Sequence, residues 1–403
     1  MDDSSLSKIV NSLLLVFLLL PLVAVAGPDE QARRIHERIA GVPPDAGTAA
    51  EMSALITAGD VAAAADIAMT HPDFYRTTLK NLATPWTNRD GDVFAPLNDY
   101  SATFIGLVRD DRDFRELLTG SVLYVGEVSG IPGYAPDNNN HYEALEAMQA
   151  DLGAVLTPRP QSSLNGIPDS AAAGVMTSRA ASRAFFIAGT NRAMLRFTLL
   201  NHLCRDLEQV ADTTRVPDRI RQDVTRSPGG DSRLFRNNCI GCHSGMDPLA
   251  QAFAYYNFSY DAANDPTGVA GRLTYNDVGT TDAVTGSRVV AKYHINSNNF
   301  PFGYVTPDDT WDNYWRDGQN ALLGWDTSLP GTGSGATSLG EELANSDAFA
   351  SCQVERVFRT VCLRDPQDAA DRALVASMSE SFTSGGYRLR PVFASTAAYC
   401  MGD

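Results

Sequence analysis

Residues 231–248 read Asp231-Ser232-Arg233-Leu234-Phe235-Arg236-Asn237-Asn238-Cys239-Ile240-Gly241-Cys242-His243-Ser244-Gly245-Met246-Asp247-Pro248. Within this stretch Cys239, Cys242 and His243 form a complete C-x-x-C-H, the pattern of covalent haem c attachment. The spacing has a physical cause. Two intervening residues bring both sulfurs to one porphyrin edge, where they add across the vinyl groups, and the adjacent imidazole turns Nε2 toward the proximal face of the iron. A zinc site would require a second pair of ligands at similar spacing, which the remaining cysteines and histidines do not form. Asp231 or Ser232 caps a short helix expected over 233–238, which delivers the thiols.

The longest periodic segment lies upstream at 178–210, where Phe185, Phe186, Ala193, Leu195, Leu199 and Leu203 supply an apolar helical face with a break near Gly189. Shorter helical patterns cover 29–39, stopped by Gly41, then 50–58, 61–69 with Asp60 as cap, 71–82, 98–108, 111–118 and 142–152. Gly, Pro and Asn mark 126–140 as a loop. Downstream, 248–258 is aromatic and suited to a porphyrin edge. Alternation at 271–275 and 287–290 predicts a β-hairpin or small sheet, and 311–322 a short helix. Helices return at 341–361, 366–378 and 391–399. The expected fold is mainly α: a multi-lobed helical protein with a cytochrome c-like haem-binding region and a small β-hairpin or sheet. Its parts are a signal peptide at 1–26, an N-terminal helical lobe at 27–155 and a haem c-binding region at 170–400.

The signal peptide follows from Lys8, a dense apolar run over 13–26 and the small-residue ending Ala24-Val25-Ala26. No later stretch approaches the roughly 18 apolar residues of a membrane span, so the mature chain is expected to have none. Export and haem attachment support each other, since bacterial c-type attachment takes place outside the cytoplasmic membrane. A periplasmic or extracellular location, or the cell surface, is therefore expected. In that oxidising space Cys204, Cys352, Cys362 and Cys400 are expected to pair, with a bridge from Cys352 to Cys362 or Cys400 preferred. The net charge of −16 argues against nucleic acid as a partner.

The distal side of the iron decides what the haem does. A second strong ligand gives an electron-transfer centre, whereas an open position admits small molecules. Met246 follows His243 too closely to wrap round the ring. His294, about fifty residues downstream in a polar loop, is the candidate distal iron ligand, ahead of Met378 or Met401, with His202, Met194 and Met176 as upstream options. The reading of His202 as a core histidine is preferred. His36 and His71 read as exposed or capping residues and His141 as solvated. Arg192, Arg196, Arg205, Arg233, Arg236 and Lys292 are cations able to meet haem propionates. The acidic clusters at 261–265 and 308–312 read as solvated turns rather than Ca²⁺ sites.

The stretch 231–248, the adjoining Ala252-Phe253-Ala254-Tyr255-Tyr256-Asn257-Phe258, and the flanking Ala173-Gly174-Val175-Met176-Thr177-Ser178-Arg179 and Ser384-Gly385-Gly386-Tyr387-Arg388-Leu389-Arg390 resemble secreted bacterial single-haem proteins. These are the planctomycete-type cytochrome domains of unknown function. Leu249-Ala250 departs from that group's usual step after Asp-Pro. The resemblance implies one covalent haem c on Cys239 and Cys242, with His243 as proximal ligand and no established enzymatic activity. The sequence thus favours an exported electron-transfer cytochrome serving redox partner proteins. A haem enzyme of peroxidase or oxygenase type with an open distal site, and a haem-containing secreted assembly subunit capable of self-assembly, are the alternatives.

Overall fold

The computed structural model describes residues 26–187 and 190–402, so the expected signal peptide and the break near Gly189 fall outside or at the edge of the described residues. Helix α1 (Pro28–Ala40) begins with proline at its first position, where no backbone donor is needed, and ends at Gly41 with φ 79°. Asp45 caps α2 (Ala46–Thr57) by accepting from Gly47 and Thr48 N–H, and Asp60 caps α3 (Val61–Ala68) through Ala63 N–H. Helix α4 (Asp99–Arg109) starts in a reciprocal capping box between Asn98 and Ser101 and is buried over nearly its whole length.

Around α4 the chain packs in helical layers. Strands β1 (Val122–Gly126) and β2 (Leu156–Pro160) pair antiparallel, with Val122 opposite Pro160, and lie on α4. Gly106 makes that approach possible: a Cβ there would stand 2.1 Å from the Tyr124 ring. The buried Asp99 carboxylate accepts from the N–H groups of Arg179 and Ala180, satisfying two donors at the start of α5 (Arg179–Phe186), which Ser178 also caps. Helix α6 (Arg192–Thr198) continues into a widened π-helical turn, Leu199–Leu203, and the expected long helix stops at Cys204, which takes φ 53°.

Helix α7 (Ile240–Ala250) carries Cys242 and His243 and comes after another π-helical turn, Phe235–Cys239, whose last residue is the first cysteine of the motif. The sheet expected beyond it forms with a different partner. Strand β4 (Arg272–Tyr275) pairs with β3 (Tyr256–Ser259), Tyr256 facing Tyr275, because Tyr256 and Phe258 alternate inward. Val289 and Val290 instead pack with Ala254, Tyr255 and Tyr293. The helix expected over 311–322 is replaced by β5 (Thr310–Asp312) and two short 3₁₀ turns; β5 pairs with β6 (Thr332–Ser334).

Helices α8 (Gly335–Ala344), α9 (Asp347–Cys362), α10 (Ala369–Ser384) and α11 (Leu389–Cys400) complete the chain, with α11 packed on α3, α1 and α9. One apolar cluster runs from Ala32 to Ala397. The fold is mainly α with small two-stranded sheets. The disulfides are Cys204–Cys352 and Cys362–Cys400, which corrects the preferred bridge from Cys352 into the C-terminal third. The physical reason is placement: Leu199–Leu203 lies along α9 and presents Cys204 to Cys352, leaving Cys362 to the end of α11.

Candidate functional site

At the start of α7, Cys239 and Cys242 are half-buried free thiols, in contrast to the four other cysteines, which are paired. Helical spacing puts Cys239, Cys242 and His243 on one side of the first turn. Gly241 between the thiols accepts the Asp212 N–H at 3.0 Å, and a Cβ there would press to 3.3 Å from that nitrogen. Cys242 Sγ lies 3.4 Å from the Leu207 carbonyl. Burial pushes the Cys242 thiol up, with the Glu208 carboxylate adding to it. The loop after Cys204 therefore backs the motif closely.

His243 is held from behind. Its Nδ1 is 3.1 Å from Asp247 Oδ1, one helical turn on, and the Asp247 carboxylate is fully buried. Arg192 grips the same carboxylate in a fork, Nε to Oδ1 at 2.6 Å and Nη2 to Oδ2 at 2.9 Å. Arg192 also pairs with Asp223, which pairs with the buried Arg221, and the Arg221 N–H reaches Asp247 Oδ2 at 3.3 Å. Burial alone would favour the neutral acid, but Arg192 and His243 hold the Asp247 carboxyl far below the usual carboxylate range. An ionised Asp247 accepts the proton on Nδ1 of His243, which fixes the tautomer and leaves Nε2 as the lone-pair nitrogen.

The helix is seated by two further contacts. Gly245 lies against Trp315, where a Cβ would come within 2.0 Å of indole Nε1. Arg226 stacks between Phe235 and Phe300, at 5.3 and 4.3 Å from their ring centres, and Phe300 contacts Phe302, which is 90% exposed. That ladder ties the turn carrying Cys239 to the loop around residue 300.

His294 closes the 3₁₀ turn Ala291–His294, and its Nε2 is buried without a hydrogen-bond partner. The turn is anchored by Tyr293, whose hydroxyl donates to the Ala250 carbonyl at the far end of α7 and whose ring lies under Arg221. Met378 sits in the core, its sulfur accepting from Thr396, while Met401 gives its carbonyl to Arg34 near the chain's end. Met176, Met194 and Met246 are buried core residues.

His202 is buried as a core histidine, Nε2 at 2.6 Å from the Tyr100 hydroxyl and stacked on that ring, and burial pulls it down to about 3. His36 and His141 depart from the sequence expectation: both are buried. His36 Nδ1 bonds Val42 O at 2.7 Å, and His141 bridges Pro132 O and Gly126 N–H. Among the other cations, Arg196 pairs with Asp206, Arg233 with Asp231, Arg205 reaches Cys204 O and Lys292 reaches Phe186 O. Arg236 is exposed and forms no ion pair among the described residues. Asp261 and Asp265 accept local backbone N–H groups, as solvated turns do.

Asp247 escaped the reading of the sequence, although its i,i+4 spacing from His243 on a helix was the available signal. Its partners Arg192 and Arg221 come from distant segments and carry no such mark. Among the described residues no three His, Cys, Asp or Glu side chains converge to hold a metal ion by themselves. The residues do fit a covalently attached haem: two adjacent free thiols, one imidazole with Nδ1 engaged and Nε2 unpartnered, and an exposed approach over 232–234 and 236–238. No helix among the described residues is long and apolar enough to cross a membrane. No family model, curated protein or solved structure matches the chain.

Proposed function

We propose that the chain is an exported c-type cytochrome carrying one covalent haem c and transferring electrons to partner proteins in the periplasm or at the cell surface. The observation that carries this reading is the pairing of two free thiols with a histidine whose Nδ1 is locked by a buried carboxylate. Cys239 and Cys242 would hold the porphyrin edge through thioethers, and His243 would hold the iron through Nε2. When bound, the haem supplies a one-electron iron couple. Asp247 keeps the imidazole in one tautomer and orientation, with Arg192 fixing the carboxylate in turn. The exposed surface at 236–238 leaves one side of the site open to a partner.

His294 is the proposed distal ligand, supported by its buried, unpartnered Nε2. The resemblance to planctomycete-type cytochrome domains belongs to this proposal, as does export, which the two disulfides and the Ala24-Val25-Ala26 ending support.

A second reading, a haem enzyme with an open distal position, is favoured by one observation. A carboxylate hydrogen-bonded to Nδ1 makes His243 a more electron-donating ligand. Reduced-minus-oxidised spectra with and without carbon monoxide separate the two. An electron carrier with two protein ligands gives no carbon monoxide response, and rapid binding to the ferrous protein overturns that reading in favour of the enzyme. Conversion of the spectrum to high spin by His294→Ala supports the distal assignment, and an unchanged spectrum refutes it.

A further inference from the structure

Away from α7, a cleft of about 660 Å³ opens between α1, residues 77–91, the Phe197–Asn201 segment and α9. None of its lining residues belongs to the C-x-x-C-H helix, so a ligand there would bind independently of the haem.

Arg356 of α9 lines this cleft, and its environment is unusual for a guanidinium. Nη2 donates to the Leu200 carbonyl at 2.9 Å, and the group lies over Trp86 with its carbon 4.7 Å from the ring centre. Nε is buried with no hydrogen-bond partner, and among the described residues no carboxylate lies within ion-pairing distance. The buried guanidiniums of Arg192 and Arg221 are, by contrast, matched by Asp247 and Asp223. Burial, with Arg359 adding to it, pulls Arg356 down to about 10, while Tyr100 and the more distant Glu355 carboxylate only partly oppose the shift, as fits a cation with no carboxylate in contact.

The rest of the lining carries further positive charge. Arg38 and Arg89 bring two more guanidiniums, held to the carbonyls of Val361 and Ala184. Glu37 is the one carboxylate among the described lining residues and is already paired with Arg33. A positive cleft in a chain of net charge −16 concentrates field where the remainder of the surface repels anions. Phe197, itself stacked on Phe185, supplies an apolar wall. The apolar part of a ligand has a side chain to lie against and its acidic group a cation to meet.

We propose that this cleft binds a small organic anion, an apolar group bearing a carboxylate or phosphate, with Arg356 as its counter-charge.

Calorimetric titration of the native full-length protein with phenyl phosphate, benzoate and inorganic phosphate tests this. Saturable binding of at least one aromatic anion is expected with Kd of about 1 mM or tighter, and inorganic phosphate about tenfold weaker because it leaves the apolar wall unused. Arg356→Gln should weaken the aromatic anion by about tenfold or more. Thr77→Trp, an exposed position on the cleft lining, should do the same by filling the mouth, and decides the matter if Arg356→Gln fails to fold. Absence of saturable binding by all three probes overturns the proposal. So does binding unchanged in a folded Arg356→Gln or Thr77→Trp variant, or inorganic phosphate binding as tightly as phenyl phosphate.

Discussion

His202 and His243 each commit one ring nitrogen to a single hydrogen bond, yet their surroundings give them opposite chemistry. His202 lies in the core, 1% exposed, with Tyr100 stacked on it, Trp86 edge-on and the Arg356 cation nearby. Nothing negative faces it, and it stays neutral and structural. His243 sits on a helix that begins at the surface, with Asp247 behind its Nδ1 and two arginines behind Asp247. A donor ligand needs an electron-rich imidazole, a fixed tautomer and an open Nε2, and only the second setting supplies all three. The partner chosen for the other ring nitrogen is what distinguishes the proposed ligand from the core residue.

The largest expected effect falls on the His202 side. The Cys204–Cys352 bridge closes a separation of 148 residues and pins the turn carrying His202 to α9, whereas Cys362–Cys400 spans 38. Chain entropy gives the long bridge about 5 kcal/mol and the short one about 4. Replacing both cysteines of the long bridge by serine should therefore lower the urea midpoint more than the same change in the short one. The reverse order would mean that the His202 region is held by packing alone.

On the His243 side, Asp247→Asn leaves Arg192 and Arg221 with one carboxylate between them and should cost about 3–5 kcal/mol in denaturant unfolding. A smaller loss would show that the arginines find other partners, weakening the contrast between the two histidines.

Acid sharpens the same comparison. With its folded value pulled down to about 3 from an ordinary 6.5, His202 remains neutral in the folded chain while the unfolded chain takes up a proton. Its stabilising contribution is thus complete above about pH 6.5 and lost as pH falls toward 3, amounting to about 5 kcal/mol at most. Unfolding tracked from pH 7 to pH 4 should show a steeper loss in the native chain than in His202→Phe. Parallel curves would remove His202 as the source.

The smallest effect concerns the seating of α7. Gly245→Ala pushes a methyl into Trp315 and should cost about 1–3 kcal/mol by thermal unfolding. An unchanged midpoint would mean that Trp315 can withdraw freely.

Local chemistry was legible in the chain, and long-range partnership was not. Gly41 ends α1, Asp60 caps α3 and Asn98 opens α4 as their side chains and backbone preferences require, and the C-terminal helices keep their apolar period. Cys239, Cys242 and His243 were readable because their spacing is itself the geometry. The pairing of β4 with β3, the disulfide choice and the burial of His36 and His141 depend on which segments meet after folding, and no window of sequence encodes that. Asp247 lies between the two cases: its spacing from His243 is local, but its burial and its hold on Arg192 are tertiary.

The proposed function stands or falls with attachment of one haem at Cys239 and Cys242. Intact-mass measurement of the denatured protein, purified from a host with c-type haem attachment machinery, tests it directly. The expected result is a mature chain heavier by one haem, with that mass lost in the Cys239→Ala, Cys242→Ala double variant. A native chain that carries no haem mass, or a double variant that keeps it, would contradict the claim.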